Sequence, residues 1–411
     1  MRLLLISLDG LWESDFPLLA EMPYIGALIR AGVSCKNVQT IYPALTYPVH
    51  ATILTGCPPG EHGIAHNQPF APDLPPKKRP WYWEAAMIRR PTLHQIVCEQ
   101  GGRTASILWP VTGKNRYIHW NFPEVLALPG ENQTLKMLRY GSAAWILAME
   151  ARYGRERKSI HQPDLDDYAA LLCEKLLLMR RPPDLITLHL TDCDEMRHLH
   201  GADSPEAREA IRRLDKRVGL LTTALDKQNL GGDTVVALVS DHGLADVSRP
   251  VSLDAALVQA GLGDICRAQS TGMGAFLRFS KETEENIRKV WAFLEQNAQA
   301  LGISHIYGAR ELADMGAGGN LRLAVEAAPE VVFADDLALE KRAAATHGFG
   351  PSHPAAQCLF VMAGPGVKKG AALPKADMED IAPTLMRAVG GKMPSARGKV
   401  LADCFENIEK W

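Results

Sequence analysis

The chain has no long hydrophobic run, no closely paired cysteines and little net charge of either sign. No stretch approaches the roughly 18–20 apolar residues of a membrane-spanning helix, so we expect no membrane partner. A formal net charge of −2 over 411 residues argues against a nucleic-acid scaffold. The eight cysteines are scattered without a Cys-x-x-Cys pair, which favours reduced thiols over a disulfide framework. A cytoplasmic protein is the expectation.

Short apolar runs that end in polar residues predict buried parallel strands. These runs are Leu3–Ser7, Thr104–Leu108, Leu185–Leu190, Thr234–Val239 and Leu359–Met362. The first run is too short for a signal peptide, and Asp9 interrupts it. Helical patterns lie between the runs, at Pro23–Ala31 and from Pro205 to about Lys227, with Ser204 as N-cap. This alternation predicts an α/β, doubly wound, mostly parallel central sheet flanked by helices.

Two regions are predicted to be additions to this sheet. Residues 251–340 would form an inserted small subdomain, because they hold one helical and two strand-like runs: Lys281–Ala298, Ala275–Phe279 and Leu321–Ala328. Residues near 110–165 would form a lid or side lobe, with Trp109, Trp120 and Trp145 among polar segments. The catalytic core would then comprise residues 1–250 and 341–411.

The stretch TYPVHATILTG begins at Thr46, after a Pro-Ala-Leu turn. Pro48 suits the first turn of a helix, where its missing N–H is not needed. Thr46 is therefore predicted at a helix N-terminus, where free backbone N–H groups favour an anion. A hydroxyl in that place is a candidate nucleophile for a phosphorus centre. The simpler alternative is a threonine that only caps the helix.

Carboxylate and imidazole side chains follow three of the predicted strands or lie in a later Thr-His-Gly. They are Asp9, Asp194, His198, Asp241, His242 and His347. Asp194 and His198 are four residues apart, so a helical turn presents them on the same side. Three aspartates and three histidines suit two zinc ions, and a two-metal site can stabilise an in-line displacement. Asp192 and His200 are rival ligands, and a strand-end Asp-His-Gly can also be an ordinary turn.

The motifs together resemble the type I phosphodiesterase and nucleotide pyrophosphatase branch of the alkaline phosphatase superfamily. The resemblance runs from LLISLDG at the start to IAPTL at Ile381–Leu385 and is weakest in the two additions. The motifs that carry it are strand-Asp-Gly at Asp9, T-[FY]-P-x-H-x-x-x-x-T-G from Thr46, HGIxxN at His62–Asn67, D-x-x-x-H-x-x-G at Asp194–Gly201, SDHG at Ser240–Gly243, and THG followed by FVMAGPG at Thr346–Gly366.

The resemblance implies an alkaline-phosphatase-like fold and two divalent metal ions, with Zn²⁺ as the first choice and Mn²⁺ as the alternative. One ion would be held by Asp9, Thr46, Asp241 and His242, and the other by Asp194, His198 and His347. Thr46 would be both ligand and nucleophile, forming a phospho-threonine intermediate. Asn67 would bind a phosphate oxygen together with the backbone N–H of Tyr47, and the Tyr47 ring would line a nucleotide pocket.

The expected function is hydrolysis of phosphodiester or pyrophosphate bonds in nucleotides or similar small esters. Alternatives are a phosphonate hydrolase of the phosphonoacetate type, a phosphomonoesterase, and an inactive metal-binding interaction protein. The stretch Thr46–Asn67 holds no lysine or arginine, which favours diesters because a monoester or a carboxylate calls for a cationic clamp. Lys114, Arg116 and Arg197 are candidates for such a clamp, and the Trp81-Tyr82-Trp83 cluster is a candidate contact for a leaving group.

Overall fold

The computed structural model describes residues 1–318, 321–335 and 343–406. Its strands, in chain order, are β1 (Arg2–Leu8), β2 (Val33–Gln39), β3 (Thr104–Ile107), β4 (Trp120–Phe122), β5 (Leu185–Leu190), β6 (Thr234–Val239), β7 (Ala245–Val251), β8 (Cys266–Ser270), β9 (Gly274–Phe279), β10 (Ile303–Gly308), β11 (Leu323–Ala327), β12 (Glu330–Phe333), β13 (Ala345–Thr346), β14 (Gln357–Ala363), β15 (Ala371–Leu373) and β16 (Ala376–Asp377).

The α-helices, also in chain order, are α1 (Phe16–Glu21), α2 (Pro23–Ala31), α3 (Thr46–Thr55), α4 (Pro59–His62), α5 (Leu93–Glu99), α6 (Gln133–Tyr140), α7 (Ala143–Tyr153), α8 (Asp164–Leu177), α9 (Asp192–His200), α10 (Pro205–Lys227), α11 (Leu253–Gln259), α12 (Glu284–Gln296), α13 (Ala298–Leu301), α14 (Ala309–Asp314) and α15 (Ile381–Ala388). None of these helices is long and apolar enough to cross a membrane.

The central sheet has the order β15-β2-β14-β6-β1-β5-β3-β4, and β16 also pairs with β2. β1 lies parallel between β5 and β6, and β3 is parallel to both β5 and β4. Four of the five predicted parallel strands are thus confirmed. The fifth is wrong in direction, because the strand that contains Leu359–Met362 runs antiparallel to β2 and β6. A strand buried on both faces has the same apolar pattern whether it runs parallel or antiparallel to its neighbours, so the pattern does not predict its direction.

Helices cover both faces of this sheet, as predicted. On one face α10 packs against α2, α8 and α9, and its apolar positions Ile211, Leu214, Val218, Leu221 and Leu225 are buried. Ser204 is its N-cap, because the Ser204 hydroxyl accepts the Ala207 N–H at 3.1 Å. On the other face α3 and α15 bury Val49, Ile53 and Leu385 against the strands.

A second, antiparallel sheet has the order β10-β11-β9-β8, and it packs against α12 in one apolar cluster. The three runs predicted in this region are confirmed as α12, β9 and β11. The predicted boundary at residue 340 lies outside the described residues, so the division into core and subdomain stays a prediction. In the predicted side lobe, β4 joins the edge of the central sheet before α6 and α7.

The register of the central strands aligns the residues that follow them. Leu8 of β1 lies opposite Leu190 of β5, and Ser7 lies opposite Val239 of β6. In an open α/β sheet, ligands bind beyond the carboxyl ends of the strands. Here the chain places Asp9, the start of α9 and Asp241 at that edge.

Candidate active site

Asp9, Asp241 and His242 meet at the carboxyl ends of β1 and β6. The Nε2 atom of His242 lies 3.2 Å from Asp241 Oδ2 and 3.7 Å from Asp9 Oδ1. The backbone N–H of Gly10 donates to Asp241 Oδ1 at 3.3 Å, which fixes one loop to the other. Gly10 has a φ of +78°, and a Cβ there would lie 3.0 Å from the Cα of Asp194. Glycine is therefore needed for the loops to approach so closely.

Asp194, His198 and His347 lie beside this first group. One turn of α9 brings His198 Nε2 to 3.5 Å from Asp194 Oδ1, as the spacing predicted. β13 pairs with β7, which directly follows the His242 loop, and this pairing stacks the His347 ring on His242 with centroids 3.8 Å apart. The Nδ1 atoms of His198 and His347 lie 2.8 and 3.1 Å from backbone carbonyls. Since a carbonyl only accepts, each Nδ1 carries the hydrogen and Nε2 keeps a free lone pair in the neutral ring.

Thr46 is the first residue of α3, and Leu45 is the N-cap. The alternative in which the Thr46 side chain caps the helix is wrong, because no side-chain cap bond forms there. Its hydroxyl instead lies 3.2 Å from His242 Nε2. Asn67 Oδ1 accepts the Tyr47 N–H at 3.0 Å, so both predicted phosphate-binding groups lie at the start of this helix.

The site gathers acidic side chains in buried surroundings that disfavour their ionised forms. Burial, together with the neighbouring carboxylates Asp241 and Asp194, raises the pKa of Asp9 well above its usual value. Burial is also the main cause that raises the pKa of Asp241 to about 6. Burial and nearby histidines hold the pKa of His242 and His347 well below the usual value, so both rings are neutral. Neutral His242 and His347 rings give the carboxylates no compensating charge, whereas a cation bound between them would favour the ionised carboxylates.

The donor atoms fit a divalent metal. Asp9 Oδ1, Asp194 Oδ1 and Asp241 Oδ2 are buried and have no hydrogen-bond partner in the described parts of the chain. Two groups hold ligand atoms within 4.8 Å of one another, Asp9 with Asp241 and His242, and Asp194 with His242 and His347. His242 belongs to both groups, and His198 adjoins the second. Buried polar atoms without partners are costly, so this oxygen and nitrogen set is suited to metal binding.

A cavity of about 460 Å³ opens beside these groups, and Asn67 and His347 form part of its wall. Trp81, Trp83 and Leu128 give it an apolar wall. The predicted pocket residue Tyr47 is only 1% exposed, and its ring packs edge-on against Trp81 with centroids 5.1 Å apart. Trp81 thus separates Tyr47 from the space that the resemblance led us to expect it to line.

The candidate cationic clamps lie elsewhere. Arg197 is buried and pairs with Asp15 at 2.7 Å, and it also donates to the Gly10 carbonyl, so its guanidinium is engaged within the fold and does not face the cavity as a clamp would. Lys114 pairs with Glu84, and both Lys114 and Arg116 line a different cavity.

The rival ligands are also accounted for. Asp192 is bound by the guanidinium groups of Arg213 and Arg217, at 2.7 and 2.8 Å. His200, at the end of α9, is exposed.

Sequence reasoning missed two residues under the site, His189 and Glu124. His189 Nε2 lies 2.9 Å from Asp9 Oδ2, and its Nδ1 lies 3.2 Å from Glu124 Oε2. Burial lowers the pKa of His189, but the hydrogen bonds to Asp9 and Glu124 outweigh burial and raise that pKa well above its usual value. A histidine inside an apolar strand gave no signal, because it has the pattern of a packed core residue.

The sheet and the side chains grouped at its carboxyl edge define an alkaline-phosphatase-like α/β protein with a candidate two-metal site. The family model for type I phosphodiesterase / nucleotide pyrophosphatase matches residues 3–336. The chain therefore belongs to the type I phosphodiesterase / nucleotide pyrophosphatase family, which confirms the resemblance.

Curated relatives match in part of their length. Human ectonucleotide pyrophosphatase/phosphodiesterase family member 5 is 27% identical over 267 residues, covering 62% of this chain and 47% of that protein. Human member 7 is 25% identical, over 60% of this chain and 49% of that protein. A venom phosphodiesterase from Macrovipera lebetinus is 25% identical, over 60% of this chain and 26% of that protein. The chain thus spans about a quarter to a half of the length of these relatives.

Solved structures match the whole fold. Human ectonucleotide pyrophosphatase/phosphodiesterase 5 superposes with a TM-score of 0.74 at 19% identity, covering 99% of this chain and 100% of that one. The murine protein, in an inactive threonine-to-alanine form in complex with AMP, superposes with a TM-score of 0.73 at 17% identity. The match covers 98% of this chain and 100% of the murine chain. The predicted fold class is confirmed.

Proposed function

We propose that the protein is a hydrolase of phosphodiester or pyrophosphate bonds in nucleotides or similar small esters, dependent on two divalent metal ions. The observation that carries the proposal is the arrangement around Thr46. Its hydroxyl adjoins His242, which belongs to both groups of ligand atoms, and three carboxylate oxygens of these groups are buried without a hydrogen-bond partner among the described residues. The cytoplasmic location expected from the sequence stays a prediction, which cell fractionation tests.

Asp9, Asp241 and His242 would hold one ion together with the Thr46 oxygen, and Asp194, His198 and His347 would hold the other. Zn²⁺ is the first choice for these oxygen and nitrogen ligands, with Mn²⁺ as the alternative. Ions held there would favour the alkoxide form of Thr46 and stabilise negative charge on the phosphate and leaving oxygens.

The chain's own groups account for the remaining steps. Thr46 Oγ forms a bond to phosphorus while the bond from phosphorus to the leaving oxygen breaks in line. The product is a phosphate ester of Thr46, which still carries the nucleoside when the substrate is a nucleotide diester. Water then breaks the bond between phosphorus and Oγ and restores the hydroxyl. The Asn67 amide nitrogen would hold one of the remaining phosphate oxygens. The Tyr47 N–H, which Asn67 Oδ1 accepts at 3.0 Å, would join it by exchanging that bond for one to the phosphate.

The cavity supports a nucleotide-like substrate. Its volume of about 460 Å³ suits a small organic ester, and Trp81 offers an aromatic wall next to Asn67. The AMP found in the murine relative's inactive form supports the same substrate class and a threonine in the reaction.

A phosphonate hydrolase or phosphomonoesterase is the second candidate, and one observation favours it. Lys77 and Arg79 both line the cavity, although Asp335 pairs with Arg79. Lys77, on the cavity wall, would suit the extra negative charge of a monoester or the carboxylate of phosphonoacetate. The inactive-protein alternative has less support, because the chain retains every predicted ligand and Thr46.

A side-by-side assay separates these functions. The purified protein is supplied with Zn²⁺ or Mn²⁺ and given p-nitrophenyl phosphate, a p-nitrophenyl nucleotide ester or phosphonoacetate. We expect the nucleotide ester to give the largest kcat/KM. Preference for the monoester or for phosphonoacetate would overturn the proposal in favour of the second candidate, and no turnover of any substrate would support the inactive protein.

A further inference from the structure

A buried chain of hydrogen bonds links the site to the side lobe. His189 Nε2 lies 2.9 Å from Asp9 Oδ2, and His189 Nδ1 lies 3.2 Å from Glu124 Oε2. The other oxygen of Glu124 accepts the Tyr47 hydroxyl at 3.2 Å. One carboxylate therefore joins the neighbourhood of Asp9 to the residue that follows Thr46.

The His189 ring has a fixed orientation. It is fully buried, and the His50 ring packs against it with centroids 4.3 Å apart. The Leu108 carbonyl lies 3.1 Å from His189 Nδ1, and a carbonyl only accepts, so Nδ1 carries a hydrogen. Nε2 then lies 2.9 Å from Asp9 Oδ2, and it donates to that oxygen when the ring carries a hydrogen on both nitrogens, because an ionised carboxylate only accepts.

This contact selects which oxygen of Asp9 is free. Oδ2 is bound to His189, whereas the buried Oδ1 has no hydrogen-bond partner in the described chain and lies 3.7 Å from His242 Nε2. With one oxygen engaged, Asp9 offers a single oxygen to the space between it and His242. Its orientation then depends on His189, and the orientation of His189 depends in part on Glu124.

We propose that His189 and Glu124 are positioning residues that aim Asp9 Oδ1 at the metal ion nearest Thr46. The proposal rests on the two-metal function above. Glu124 is contributed by the segment between β4 and α6, and the next residues of that segment, Leu126–Leu128, form part of the cavity wall. The same short segment thus shapes the substrate cavity and holds a metal ligand in place.

The test measures metal affinity rather than activity alone. The Zn²⁺-loaded protein is titrated with a chelator, and bound zinc per chain is measured for the wild type, Glu124→Ala, Glu124→Gln and the exposed control Glu156→Ala. Groups that orient metal ligands typically contribute roughly 10–100-fold in metal affinity. We expect Glu124→Ala to weaken one of the two ions by about this factor and leave the other unchanged. Glu124→Gln, which keeps one acceptor, should lie between Glu124→Ala and the wild type, and Glu156→Ala should match the wild type.

Two further variants separate positioning from a general structural role. Tyr47→Phe removes only the hydrogen bond from the Tyr47 hydroxyl to Glu124, so the zinc affinity of this variant should equal that of the wild type. His189→Gln should weaken the same ion as Glu124→Ala, and it provides the test if Glu124→Ala does not fold. Turnover by Glu124→Ala should recover in excess Zn²⁺, whereas a folding defect would not.

Unchanged zinc affinity in both Glu124→Ala and His189→Gln would overturn the proposal, and so would equal weakening of both ions. Failure of the proposed function gives a different result, because the wild type itself would then bind fewer than two ions.

Discussion

Glu326 offers a quantitative test of the structure through the pH dependence of stability. It lies on β11, where its carboxylate accepts the Gly350 N–H at 2.7 Å and the Tyr307 hydroxyl at 3.3 Å. Burial raises its pKa from 4.5 to about 7, against the opposing effect of these two hydrogen bonds. The Gly350 contact joins the second sheet to the loop that carries His347.

The sign follows from proton linkage. A pKa raised in the folded state means that the folded protein binds this proton more tightly than the unfolded chain does. The contribution to stability is complete below pH 4.5 and is lost as the pH rises through 7. A pKa raised from 4.5 to about 7 corresponds to at most about 3–4 kcal/mol, and partial exposure of the side chain lowers the expected value to about 1–3 kcal/mol.

Glu326→Gln removes the charge and keeps the shape. We expect the free energy of unfolding of the variant, relative to the wild type, to rise by about 1–3 kcal/mol between pH 4.5 and pH 8. Denaturant unfolding at several pH values measures this difference, with excess chelator present so that metal binding does not contribute. Glu295→Gln, at an exposed position of α12, is the control. A difference that stays constant across this pH range would refute the reasoning.

Three further predictions concern the site and its support. Thr46→Ala should lower turnover of a nucleotide ester by roughly 10³-fold or more with metal content unchanged, and retained activity would exclude the threonine nucleophile. Asn67→Ala should lower kcat by about 10²–10³-fold if Asn67 stabilises the phosphate in the transition state, whereas a change in KM alone would limit it to substrate binding. Arg197→Met should cost about 3–5 kcal/mol of unfolding free energy, because it leaves Asp15 buried without its partner. Adding Asp15→Asn should recover part of this loss, and an additive double mutant would contradict the pairing.

The outline of the site could be predicted because it depends on local pattern. Asp9 and Asp241 follow apolar strands, and parallel strands place their carboxyl ends at one edge of the sheet. Asp194 and His198 share a helical turn, which the spacing alone indicates. The structure brings these residues together with Thr46 and His347.

The remaining features depend on contacts that are distant in the chain. Arg197 looked accessible because its helix carries ligands, but its side chain turns toward Asp15, 182 residues away. Tyr47 is covered by Trp81 from a separate loop. His189 and Glu124 meet across 65 residues, and neither is marked by a motif. The sequence pattern shows where a residue lies along a helix or strand. Contacts between residues that are distant in the chain depend on how the helices and strands pack, which the pattern does not show.

The most direct test of the central claim is the metal content of the purified wild-type protein, measured by elemental analysis after removal of loosely bound ions. The arrangement of Asp9, Asp194, Asp241 and the three histidines predicts about two divalent transition-metal ions per chain. A protein that hydrolyses a nucleotide ester with one ion or none would contradict the two-metal account.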